Sequence, residues 1–103
     1  MRRFLFGRYV EGDLREIRDY IAKDSPDAAL RVMVQFVAAF RLLAKRPHLG
    51  HIREDLLVPG LRFWPVGPYL VIYLADKQPI EIVAVVHGAR DIPNIVNRRL
   101  DQS

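Results

Sequence analysis

Three apolar stretches, Leu61–Val66, Tyr69–Ala75 and Ile80–His87, are separated by only two and four residues. Gly67-Pro68 and the Asp76–Pro79 segment have turn chemistry. A parallel crossover needs a dozen or more residues, so the three stretches must pair as an antiparallel meander. Within it, Leu61, Phe63 and Pro65 alternate with Arg62, Trp64 and Val66. Pro65 has no N–H to donate, which marks an edge strand or a bulge. Tyr69–Ala75 is almost continuously apolar, as a central strand covered on both faces would be. In the last strand, strict alternation predicts Ile80, Ile82, Ala84 and Val86 on one face and Glu81, Val83, Val85 and His87 on the other.

The residues before the meander predict a short strand at Arg3–Gly7 and a helix over Val10–Lys23. Val10, Leu14, Ile17 and Ile21 form the apolar stripe of that helix, with Tyr20 beside them. Asp13, Arg15, Glu16, Arg18 and Asp19 are assigned to the solvent side. Ser25-Pro26-Asp27 restarts a helix: an N-cap hydroxyl, a proline at the first helical position, then an acid that suits the dipole. That second helix buries Ala29, Val32, Phe36, Phe40 and Leu43, widened by Met33 and Val37, and stops near Lys45 before Pro47. So short a link forces the two helices into an antiparallel hairpin. Pro47–Gly60 reads as an irregular loop, long enough to suggest a function. Asp91 is placed to cap a last short helix with Ile92, Ile95, Val96 and Leu100 on one side and Arg98 and Arg99 facing away.

The expected fold class is therefore α+β, in the order β-α-α-β-β-β with a short C-terminal helix. An antiparallel helical hairpin packs on one face of a mainly antiparallel four-stranded sheet. At 103 residues the chain should form a single domain spanning 1–103. It holds no cysteine, which excludes disulfides and thiolate chemistry. No apolar run approaches the roughly 20 residues of a membrane span, and the basic-then-apolar start is cut short by Gly7 and Arg8, so a cytoplasmic protein is expected. The net charge of +4 is carried mostly by arginine, whose fork suits carboxylates and phosphates.

On residue type alone, Arg62, His87 and Arg90 are the candidate catalytic groups. An imidazole for proton transfer and guanidinium groups for a phosphorane would serve RNA cleavage. The bland alternative is a strand-end His87 satisfied by backbone, with Arg90 paired to Asp91 or a loop carboxylate. The three are expected to gather near one end of the sheet. All ten aromatics lie at or before Tyr73, so none follows His87 to stack a base. His48 and His51 sit on an irregular segment without ligand spacing, and no metal site is expected. There is no P-loop, nucleophile elbow or dinucleotide fingerprint.

Taken in order, "DLREIRDYIAKDSPDAA", "LAKRPHLGHIREDL", "GLRFWPVGPYLVIY" and "VVHGARD" resemble the ParE branch of the RelE/ParE toxin superfamily. The resemblance implies a small α+β toxin of a type II toxin–antitoxin system, without cofactors. It also implies a ParD-like antitoxin whose flexible acidic C-terminal segment folds around the toxin. A ParE-type member is expected to inhibit DNA gyrase by binding; the alternative is a RelE-type, ribosome-dependent mRNA endonuclease. Direct nucleic-acid binding is not expected outside the toxin–antitoxin complex. For the antitoxin surface, Ile92, Ile95, Val96 and Leu100 are candidate anchors, and Arg31, Arg41 and Arg53 candidate rim contacts.

Overall fold

Short-range chemistry sets the ends of each helix. In the computed structural model, which describes residues 3–101, Ser25 is extended and its Oγ accepts a hydrogen bond from the Ala28 N–H at 3.1 Å. Pro26 then opens a helix that runs to Lys45, where Arg46 leaves the helical region as residues before proline must. The elements are β1 (Phe4–Phe6), α1 (Val10–Ala22), α2 (Pro26–Lys45), a 3-10 turn (Pro47–Leu49), β2 (Leu61–Val66), β3 (Tyr69–Leu74), β4 (Ile80–His87) and α3 (Ile92–Leu100). The sheet order is β1-β4-β3-β2. The β2-β3-β4 meander is antiparallel, and β1 joins parallel to β4. The expected α+β architecture is therefore the observed one.

Each sheet face has its own core. The α1–α2 hairpin covers Val71, Tyr73, Ile80, Ile82 and Val85 with Val10, Ile17, Phe36, Phe40 and Leu43. On the opposite face Ile92 and Val96 of α3, together with Leu56 of the long loop, cover Leu61, Phe63, Ile72, Ala84 and Val86. Two apolar faces explain why β3 reads as a continuous apolar run.

Strict alternation along β4 is overturned. Ile72 pairs with Ala84 while Tyr73 pairs with Ile82, so Val83 is an extra residue, a β-bulge. Ile80 and Ile82 face the hairpin, but Ala84 and Val86 face α3, and Val85 and His87 move to the hairpin side. A single inserted residue exchanges the two faces beyond it.

Both sheet edges are closed. On β2 the Leu61 N–H donates to Val58 O at 3.2 Å, and Phe63 exchanges two bonds with His51 at 2.7 and 2.8 Å. Pro65, the next outward position, has no N–H, so this edge offers little to another strand. The Pro47–Gly60 segment is thus less irregular than its sequence suggested, with a 3-10 turn and one bridge.

The other edge is closed by side chains. β1 ends opposite Ile82, and β4 runs on to His87 without a strand on that side. There the Asp13 carboxylate accepts from the Val85 N–H at 2.9 Å, and Arg99 donates to Val83 O at 3.1 Å. Asp13 and Arg99 are joined by two further bonds of 2.6 and 2.8 Å. Asp13 is buried and Arg99 mostly so, which corrects both their sequence assignments to the solvent side. Tyr20 is corrected the other way: it is 71% exposed, overhanging the end of β4.

Candidate functional site

The three residues first considered for chemistry do not meet. Arg62 pairs with Tyr73 on β3, whereas His87 pairs with Tyr69. Four residues of strand separate those positions, roughly 13 Å. Arg62 spends its guanidinium on the loop, donating to His48 O at 3.2 Å and Gly50 O at 2.9 Å. Beside it the buried Tyr73 hydroxyl donates to Pro47 O at 2.7 Å and accepts from the Gly50 N–H at 2.8 Å. Burial pushes that hydroxyl above its ordinary pKa of 10.0, against the opposing pull of the Gly50 bond and the Arg62 charge. Arg62 and Tyr73 together pin residues 47–50, so Gly50 admits no side chain: a Cβ there would collide with the Tyr73 hydroxyl.

His87 lies at the far end of the sheet. Its Nδ1 accepts from the Ala89 N–H at 3.0 Å, which places any proton of the neutral ring on Nε2. Its ring meets Tyr69 edge-on at 5.7 Å. Asp13, Glu16, Tyr20, Tyr69, His87 and Arg90 help line a shallow concavity of about 270 Å³ between α1 and the end of β4. His87 and Arg90 thus share a surface from which Arg62 is absent. Asp91 is taken by α3, where its carboxylate caps Asn94 N at 3.3 Å. Arg90 has no ion pair with it, nor with any other carboxylate among the described residues.

The candidate partner residues divide by exposure. Ile92 and Val96 are buried in the chain's own second core, and Ile95 and Leu100 pack half-buried against it. They hold α3 to the sheet and offer little to a partner. Arg53 is engaged by Asp55, with bonds of 3.1 and 2.7 Å, and its guanidinium lies over the Phe63 ring at 5.5 Å. Those bonds hold the exposed Asp55 carboxyl below its ordinary pKa of 3.8. Arg31 and Arg41 are exposed on α2 beside an apolar strip: Leu30 at 65% and Val34 at 61% exposed, which sequence reading passed over, and Val37 at 39%, which corrects its assignment to the buried stripe. The signal was present, because 30, 34, 37 and 41 fall on one helical face. Trp64 is half-buried against the core and lies nearly parallel to the His51 ring, 6.3 Å away. Among the described residues, no three His, Cys, Asp or Glu side chains are grouped to hold a metal ion. No helix among them is long and apolar enough to cross a membrane.

A helical hairpin on one face of a β1-β4-β3-β2 sheet, with a short helix on the other, is the architecture expected of a toxin of the RelE/ParE type. Comparison with known proteins gives the branch. The family described as the ParE toxin of the type II toxin–antitoxin system, parDE, matches residues 4–92. Toxin ParE3 of Caulobacter vibrioides is 31% identical over 93 residues, covering 89% of this chain and 92% of the relative. Toxin RelE2 of the same organism is 35% identical over 83 residues, covering 76% and 85%. The chain also superposes on a solved structure, the chromosomal ParDE toxin–antitoxin system from P. aeruginosa, with a TM-score of 0.68. That match is 23% identical and covers 84% of this chain and 96% of the other, a likeness of fold. This chain belongs to the ParE toxin family of type II toxin–antitoxin systems.

Proposed function

We propose that the chain inhibits DNA gyrase by binding to it, in the cytoplasm, and is neutralised by a ParD-like antitoxin with an acidic, flexible segment. The separation of Arg62 from His87 and Arg90 is the observation that carries the binding mode. Acid–base scission of RNA needs a proton-transfer group and a phosphate clamp within about 3 Å of the same reacting atoms. Of the two clamp candidates, Arg62 is tied to loop carbonyls at one end of the sheet, which leaves the imidazole at the other end with Arg90 alone rather than a pair of guanidinium groups. For the antitoxin, the solvent face of α2 replaces α3 as the proposed contact. Leu30, Val34 and Val37 would supply apolar anchors, with Arg31 and Arg41 as a basic rim for acidic side chains.

The decisive experiment gives purified toxin to gyrase with relaxed plasmid and, separately, to translating ribosomes. Loss of supercoiling with intact mRNA is the expected pair of results. Codon-phased mRNA cuts that disappear in His87→Ala would overturn the proposal in favour of the ribosome-dependent endonuclease. Val34→Asp should weaken antitoxin binding; if Val96→Ala weakens it more at equal folded fraction, the contact returns to α3.

A further inference from the structure

Beside the edge-closing ion pair lies a cavity whose composition neither the ion pair nor the fold requires. It measures about 200 Å³ and is lined by Tyr9, Arg90, Ile95, Arg98 and Arg99. The three guanidinium groups come from two places: Arg90 from the turn after β4, Arg98 and Arg99 from the last turn of α3. Arg99 is committed, with two bonds to Asp13, one to Val83 O, and its guanidinium 5.1 Å from the centre of the Tyr9 ring. Asp13 neutralises that one charge. Arg90 and Arg98 are exposed and make no side-chain hydrogen bond or ion pair with any described residue. No carboxylate is among the described residues that line the cavity, so two uncompensated positive charges face one small space.

We propose that this cavity is a phosphate-binding site, which seats one phosphodiester of a nucleic-acid backbone running across the β4–α3 corner. Its volume is below the roughly 300–1,000 Å³ of pockets that enclose a whole small molecule, so it takes a terminal or protruding group of something larger. Guanidinium forks bind phosphate oxygens bidentately, and a wall held rigid by the Asp13–Arg99 pair presents them at little entropic cost. Arg8 extends the basic strip, its guanidinium 5.7 Å from the Tyr9 ring centre. Repeated cations without reading groups suit a charged backbone rather than bases. An acidic peptide would need apolar or aromatic anchors beside the charges. The exposed apolar residues of α2, of β1 and of the loop at Ile52 and Leu57 do not line the cavity. Tyr20, 71% exposed, stands in the neighbouring concavity beside Asp13 and Glu16, whose carboxylates would repel an acidic peptide. At this corner the Tyr9 ring is already contacted by two guanidinium groups. The proposal reverses the sequence-based expectation that the toxin alone does not touch nucleic acid, and it holds whether or not gyrase is the target.

The test measures binding of the purified chain to a short labelled DNA duplex by fluorescence anisotropy, between about 50 and 200 mM salt. Arg90→Ala and Arg98→Ala are compared with Arg15→Ala, another exposed arginine, on α1. Each cavity variant should weaken binding about threefold or more and lower the slope of log affinity against log salt by about one. Arg15→Ala should change neither, and all three should melt with the parent chain. Inorganic phosphate should compete at matched ionic strength, while poly-glutamate should compete far less well than unlabelled duplex. Equal losses from Arg15→Ala would reduce the effect to diffuse surface charge and overturn the site. Competition by poly-glutamate as strong as by duplex would reassign it to an acidic peptide. Absence of duplex binding by the parent chain would refute it outright.

Discussion

Arg99→Ala should be among the most damaging single changes outside the apolar cores. The side chain donates four charge-linked or backbone contacts in one place: two bonds to Asp13, one to Val83 O, and a face on Tyr9. Truncation leaves the Asp13 carboxylate, 9% exposed, with only the Val85 N–H as a partner, and strands the carbonyl of the bulged Val83. Breaking a buried pair by removing one member costs about 3–5 kcal/mol. The lower end, about 3 kcal/mol, fits here, because Arg99 retains 18% exposure and water can reach the vacated space. In a domain of this size each kcal/mol moves Tm by about 4–8 °C, so thermal unfolding followed by circular dichroism should drop by about 12–24 °C. Asp13→Asn should cost less, since the amide oxygen still accepts from Val85 N. A double-mutant cycle between the two should return at least about 2 kcal/mol of coupling. A Tm loss below about 4 °C with coupling under about 0.5 kcal/mol would refute the reasoning. Apolar packing alone would then hold α1, β4 and α3 together.

Three further outcomes follow from the geometry. Tyr73→Phe should cost about 1–3 kcal/mol at neutral pH in a urea titration, because the buried Gly50 N–H loses its acceptor. The folded chain holds the Tyr73 proton more tightly than the unfolded one. Its contribution is therefore full below pH 10.0 and is lost as pH rises through the raised value, so the phenylalanine variant should show a flatter alkaline limb. Arg62→Ala should loosen residues 47–50, seen as faster proteolysis or amide exchange there, whereas His87→Ala should leave stability within about 0.5 kcal/mol; equal effects would mean that Arg62 does not pin the loop. Ile92→Ala should lower stability by about 2–5 kcal/mol in the same titration, as expected of a core side chain. A neutral result with lost antitoxin binding would instead make it a partner anchor.

The layers of the fold were legible because each rests on short-range signals. Ser25-Pro26, Pro47 and Asp91-Ile92-Pro93 mark helix ends by their own chemistry, and the two- and four-residue turns dictate the meander. The faces of β4 were not legible. A bulge at Val83 comes from the match between the β3 and β4 ladders, and nothing in "IEIVAVVH" distinguishes it from regular alternation. Asp13 was misread although its position held the clue. It lies three residues after Val10 and four before Ile17, both buried, and so belongs to the apolar stripe rather than the solvent face. Charge outweighed spacing in that assignment.

The burial of Asp13 and that of Arg99 have one physical origin. β1 is three residues long and β4 is eight, so the second half of β4 has an edge with no strand to satisfy it. An exposed N–H and C=O on a buried strand must find partners, and here they find a carboxylate from α1 and a guanidinium from α3. The bulge leaves Val83 O and Val85 N with partners drawn from side chains instead of a neighbouring strand. The buried acid then requires a buried base, which is why Arg99 cannot face away. The same pairing fixes one wall of the arginine-lined cavity, and Arg90 and Arg98 stand beside it without an ion pair to any described residue. Deleting the Asp13–Arg99 pair should therefore weaken duplex binding even in the fraction of molecules that stays folded. An Arg99→Lys variant separates the two effects. It keeps the positive charge and loses the fork, so phosphate affinity should fall by less than in Arg98→Ala while Tm still falls. Unchanged Tm in Arg99→Lys would show that charge, not bidentate geometry, closes the β4 edge.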